Sequence, residues 1–174
     1  VKVVKEMGMP AVAMTDHGVM YGAIEFYKAC LEANIKPIIG CEVYVAKRSH
    51  KDKEGKVDTE PYHLTLLAKD YQGYKNLMKL VSIAHLDGYY YKPRVDKELL
   101  KEFHDGIIAL SGCPGGEFAE SLKEDDFKAG EEIVKKYLEI FGEENFYLEL
   151  QDHEYSKILA GDTLDPVVKS DMKR

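Results

Sequence analysis

Short apolar runs rich in β-branched residues alternate along this chain with amphipathic stretches at helical spacing, and that order limits the fold more than any other feature. Ala11-Val12-Ala13-Met14 precedes a helical pattern over about Tyr21 to Ala33, where Ile24, Tyr27, Ala29-Cys30-Leu31 and Ala33 form one stripe. Pro37 to Val45 reads as a buried strand, His63 to Ala68 as another, and Tyr71 to His85 as a helix with Tyr74, Leu77, Met78 and Val81 in register. Asp96 is a fitting N-cap for a short helix ending near Phe103. Ile107 to Leu110 and Phe146 to Leu150 complete the strand set. Between them a helix over Phe127 to Phe141 carries Ile133, Val134, Tyr137, Leu138 and Phe141 on one face and stops at Gly142. Lys47 to Glu60 predicts a solvated loop or hairpin tip, and Tyr89 to Arg94 an ordered loop. Strand followed by helix with short connections predicts parallel strands in an α/β layer or barrel.

A chain of 174 residues predicts one domain that needs neither disulfides nor metal to fold. Its three cysteines are odd in number and widely spaced, which predicts reduced thiols in a cytoplasmic, soluble protein rather than a secreted disulfide framework. Cys30 and Cys41 are assigned to packing. No apolar run approaches the ~20 residues of a membrane span, so no membrane partner is expected. The net charge of −7 has the wrong sign for holding duplex DNA by phosphate neutralisation. Lys2 to Gly8 reads as the last turns of a helix closed by a glycine, with no initiator Met and no signal pattern, and predicts a fragment of a longer protein.

Chemistry concentrates at the ends of the strand-like runs. Thr15-Asp16-His17-Gly18 follows the first, and metal-capable side chains recur at Glu42, His63 and Cys113. Imidazole, carboxylate and thiolate from four separate elements are the donor mixture of a hydrolytic metal site. Each also has a plainer reading. His17 suits a loop hydrogen bond, Glu42 a salt bridge inside its apolar run, and Cys113 a small buried hydrophobe. His63 stands at the start of its strand, so either the Lys47 to Glu60 excursion makes that strand antiparallel or His63 is a core histidine. Asp16 is a ligand or a partner that orients the His17 ring. His50, His85 and His104 are expected on solvated surfaces. Tyr89 to Tyr91 with Lys92 and Arg94 could stack bases and hold phosphate, or pack as a tyrosine-rich loop. Gly112-Cys113-Pro114-Gly115-Gly116 lacks the Lys-Ser/Thr of a P-loop and the spacing of a dinucleotide fingerprint.

In order along the chain, MPAVAMTDHGVMYGAIEFYKAC, IKPIIGCEVYVA, HLTLLAKDYQGYKNLMKLVSIAH, YYYKPRVD and IIALSGCPGGE closely resemble the PHP (polymerase and histidinol phosphatase) domain of bacterial DNA polymerase III alpha subunits, over residues 1–153. The resemblance implies a distorted (β/α)7-type barrel, incomplete here at both ends, since the family's opening His-x-His strand would precede Val1 and its late Asp-x-His strand would follow Arg174. It also implies up to three divalent ions, zinc or manganese, with family ligands falling on His17, Glu42, His63 and Cys113. The implied activity is metal-dependent phosphoester hydrolysis, in some members of the family as a 3′-5′ proofreading exonuclease, within a DNA-directed DNA polymerase (a nucleotidyltransferase of DNA replication). The implied partners are the rest of the alpha subunit, DNA and a separate proofreading exonuclease subunit. A non-catalytic scaffold and a small-molecule phosphatase are the alternatives, and the fragment alone is expected to hydrolyse little. Residues 154–174 depart from the pattern and read as a divergent or foreign tail.

Overall fold

The computed structural model describes residues 1–151, and the tail singled out above lies outside them. Strands β1 (Ala11–Met14), β2 (Lys36–Val45), β3 (Tyr62–Ala68), β4 (Tyr89–Tyr90), β5 (Lys92–Val95), β6 (Ile107–Leu110) and β7 (Phe146–Tyr147) form one mixed sheet. Helices α1 (Lys2–Glu6), α2 (Ala23–Glu32), α3 (Tyr71–Leu86), α4 (Lys97–Glu102), α5 (Glu117–Lys123) and α6 (Phe127–Phe141) connect and cover it. No described helix is long and apolar enough to cross a membrane.

The strand order is β4-β5-β2-β3-β6-β7, with β1 joined to the first half of β2. β2 is parallel to β1 and β5, and β6 to β7, but β3 runs antiparallel to both β2 and β6. The expected parallel pairing holds for β1, β2 and β5 and for β6 with β7, and β3 takes the antiparallel alternative. The reason is the Ala46 to Pro61 excursion, which returns β3 directly beside β2 without a crossover helix. Among the described residues the sheet does not close into a barrel.

The pleat sorts side chains between two faces. Cys41, Val43 and Val45 of β2 join Leu64 and Leu66 of β3 and Ile107 and Ala109 of β6 in the main core, with Leu77 and Leu80 of α3 and Tyr137, Ile140 and Phe141 of α6. Burial pushes the Cys41 thiol up to about 12, consistent with a packing role. The intervening residues Glu42 and Tyr44 take the opposite face, and the pairing of Tyr44 with His63 puts all three side chains there together.

Several local expectations change. The stripe on α2 buries only Ala23 and Cys30, while Ile24, Tyr27 and Leu31 are exposed. Tyr89 to Arg94 is a tight hairpin, with Tyr90 opposite Lys92 and Tyr91 at the tip. Arg94 is fully buried: its guanidinium donates to the carbonyls of His50, Asp52, Asp58 and Gly88. These bonds pin the 46–61 excursion to β5, so Arg94 holds backbone and not phosphate. His50 is likewise buried, against Asp96, instead of solvated. The short helix α5 and the brevity of β7 also depart from the sequence reading.

Candidate metal centre

The reversed direction of β3 brings the start of one strand to the ends of its neighbours. His63, at the N-terminal end of β3, meets Glu42 in the second half of β2 and Cys113 in the loop after β6. The turn after β1 runs alongside β2: Glu42 N–H donates to Asp16 O (3.0 Å) and Gly18 N–H to Glu42 O (2.8 Å). That ladder aims His17 across the strand at Glu42. The four residues singled out from the sequence thus meet at one place, and the antiparallel alternative for His63 is the one the fold adopts.

Glu42 Oε1 lies 2.7 Å from His63 Nδ1 and 3.2 Å from His17 Nε2. Donor atoms of His17, Glu42 and His63 all fall within 4.8 Å of one another. Cys113 Sγ sits 3.4 Å from His63 Nδ1 and accepts from Gly115 N–H, at the edge of this triad. The Glu42 oxygen is buried, and neither ring, close as both are, makes a well-aligned hydrogen bond to it. Burial pushes the Glu42 carboxyl up, and the close approach of the His63 ring, with the charges of His17 and His63, outweighs it and holds the carboxyl below its ordinary value. Cys113 and Glu42 push His63 up to about 9, while His63, working against burial, draws the Cys113 thiol down. A buried acceptor that two imidazoles approach without bonding, with an acidified thiol beside it, is a donor set that a divalent cation would satisfy.

Among the described residues no hydrogen bond or ion pair joins the Asp16 carboxylate to the His17 ring. That carboxylate is exposed, and the contribution of Asp16 is the backbone carbonyl that accepts from Glu42 N–H and from Cys41 Sγ. Two residues escaped the sequence reading. The Tyr44 ring stands edge-on to His63 at 5.2 Å and beside His17 at 6.5 Å, a placement that the two-residue period from Glu42 could have signalled. Glu149, just past β7, has a buried oxygen without a hydrogen-bond partner, and its N–H donates to Ser111 Oγ near the Cys113 loop. Lys92 is exposed, with Nζ 5.2 Å from the centre of the Tyr44 ring. Gly18 admits the hairpin: at φ +68, a Cβ there would meet Pro93 Cγ at 2.9 Å and Tyr44 at 3.2 Å.

Fold and donors together define an α/β domain that gathers imidazole, carboxylate and thiol at one end of a mixed sheet. The chain belongs to the PHP domain family, whose family model matches residues 1–153. Its relatives are alpha subunits of DNA polymerase III. The Thermus aquaticus protein is 50% identical over 146 residues, covering 83% of this chain and 12% of its own length. The Treponema pallidum protein is 46% identical over 154 residues (88% and 13%), and the Aquifex aeolicus protein 46% over 157 residues (87% and 13%). The chain therefore spans about one-eighth of the length of these relatives.

Proposed function

We propose that this chain is the metal-binding portion of the PHP domain of a bacterial, cytoplasmic DNA polymerase III alpha subunit, and that the complete domain hydrolyses phosphodiesters, removing nucleotides from the 3′ end of single-stranded DNA. The supporting observation is the buried Glu42 oxygen that both His17 and His63 approach without hydrogen bonding it. His17, Glu42, His63 and Cys113 would hold the ion, and a thiolate with two imidazoles favours zinc over manganese or magnesium. When bound, a divalent ion supplies a water of lowered pKa and a counter-charge for phosphate. The chain's own residues do the rest: Glu42 and His63 fix the donor positions from paired strands, and Lys92, with no carboxylate partner among the described residues, meets a substrate phosphate at the rim. Polymerisation would belong to other parts of the parent protein, of which this chain spans about one-eighth. The partners are the rest of the alpha subunit and DNA.

A second reading, a scaffold that stabilises the polymerase and docks a proofreading subunit, is favoured by one feature. Ile24, Tyr27, Pro37, Ile39, Tyr71 and Tyr74 line an open apolar cleft of about 420 Å³ away from the donor cluster. Elemental mass spectrometry separates the two. The chain equilibrated with zinc and then desalted is expected to keep about one zinc ion, and the His17→Ala/Glu42→Ala double variant less than about a tenth of that, because each donor lost leaves the set below a stable coordination number. Retention of no zinc by the unaltered chain would move the assignment to the scaffold.

A further inference from the structure

The β4-β5 hairpin stands against the donor cluster and carries a ring that the fold does not use. Tyr91 sits at its tip with φ 58, a left-handed backbone that suits glycine or asparagine, and its side chain is 70% exposed. A tyrosine held there gains little from burial, so the strained position serves something other than the core. The ring is nonetheless braced. It stands edge-on to Tyr90 at 4.9 Å, and Tyr90 in turn lies over the buried Arg94 guanidinium at 5.4 Å. The hairpin is also locked to the turn that carries His17: Pro93 packs on Gly18, and His85 Nε2 bonds the Gly18 carbonyl at 2.9 Å, with the half-exposed Tyr89 ring 6.2 Å from His85. One residue past the tip, Lys92 extends back over Tyr44, whose ring stands edge-on to His63 and near His17.

Resting on the phosphodiester reading above, we infer that Tyr91 is a base-stacking platform that positions a single nucleic-acid strand so that its phosphate passes Lys92 into the cluster. The net charge of −7 gives a strand little general attraction by counterion release, so a stacking contact would supply much of the hold. Stacking on a fixed aromatic ring is insensitive to base identity and is available only to unpaired bases, so the hairpin selects single strands without selecting sequence. Tyr91 is a positioning residue and takes no part in the chemistry.

The test is fluorescence anisotropy of the zinc-equilibrated full chain with a labelled, hydrolysis-resistant phosphorothioate oligothymidylate and with a duplex of equal length. Tyr91→Gly removes the ring while suiting the backbone, and Tyr91→Trp restores a ring. The expected result is that the unaltered chain prefers the single strand, that Tyr91→Gly raises its dissociation constant at least fivefold, and that Tyr91→Trp stays within twofold. Single-strand affinity of Tyr91→Gly within twofold of the unaltered chain overturns the platform. So does equal or absent binding of single strand and duplex by the unaltered chain, the result expected if the hairpin docks a protein instead. Zinc content measured on the same samples reports the metal reading separately: an unaltered chain that binds single strands through Tyr91 but retains no zinc supports the platform and removes the metal centre.

Discussion

Asp96 and Glu42 each set a carboxylate against an imidazole Nδ1, one against His50 of the 46–61 excursion and one in the donor cluster, yet their remaining bonds differ. Asp96 is saturated: Oδ1 accepts from Leu99 N–H as the N-cap of α4, and Oδ2 accepts from the His50 N–H at 2.9 Å and from the His50 ring. An ionised carboxylate only accepts, so His50 Nδ1 must be the donor in that pair. Both residues are buried, and each carboxylate oxygen of Asp96 has at least one donor. Glu42 has the same neighbours in kind, but its Oε1 is bonded by neither ring, and a thiol waits beside the nearer one. A satisfied pair ties two segments together. An unsatisfied pair with converging lone pairs costs stability in the folded chain, a cost that the proposed cation would offset.

Substitutions can break that contrast. The largest effect on folding is expected from Asp96→Ala, which removes a helix cap and strands the buried His50 N–H, at a cost of about 3 kcal/mol in urea unfolding. A loss below about 1 kcal/mol would mean that Asp96 does not tie the excursion down. The same variant reports on pH. Burial pushes the Asp96 carboxyl up, but the His50 and Leu99 N–H groups and the His50 ring hold it below its ordinary 3.8. A depressed carboxyl contributes stability that is complete above its unfolded value and is lost as pH falls through its folded one. The unaltered chain should therefore lose this contribution below about pH 4, and Asp96→Ala should show a flatter acid limb.

Glu42→Gln is expected to change the stability of the metal-free chain by less than about 1 kcal/mol, since no directed hydrogen bond is lost, while lowering zinc affinity at least tenfold in a competitive chelator titration. Destabilisation as large as that of Asp96→Ala would make the two pairs equivalent and the contrast empty. The smallest effect belongs to Asp16→Ala. The exposed carboxylate contacts neither His17 nor Glu42, so stability should move by no more than about 0.5 kcal/mol and zinc affinity by less than about twofold. A tenfold loss of affinity would restore Asp16 as the group that orients His17.

Much of this was legible in the residues. The Ile107–Leu110 strand, the Phe127–Phe141 helix and the Asp96 cap stand where periodicity and capping chemistry put them, because each depends on neighbours within one or two turns. The four donors were legible as types: His17, Glu42, His63 and Cys113 stand out as polar or reactive groups at the ends of apolar runs. What misled was exposure. Ile24, Tyr27 and Leu31 form a sound helical stripe, but a stripe shows only that a helix has an apolar face, and here that face is open among the described residues. Arg94 and His50 looked like surface groups because nothing near them in sequence offers the carbonyls and the carboxylate that satisfy them.

By itself, the sequence determined the alternation of strands and helices, the chemical identity of the donor set and, through Thr-Asp-His-Gly and its companion motifs, the family. These follow from local period and residue type, which survive any arrangement of the pieces. Only the tertiary structure decided that β3 runs backwards, that its first residues therefore meet the ends of β2 and β6, and that the buried cation at Arg94 serves backbone while the exposed one at Lys92 faces the cluster. Strand direction and the partner of a charge are settled by contacts between segments far apart in the chain, where loop closure and the need to satisfy every buried polar group outweigh local preference.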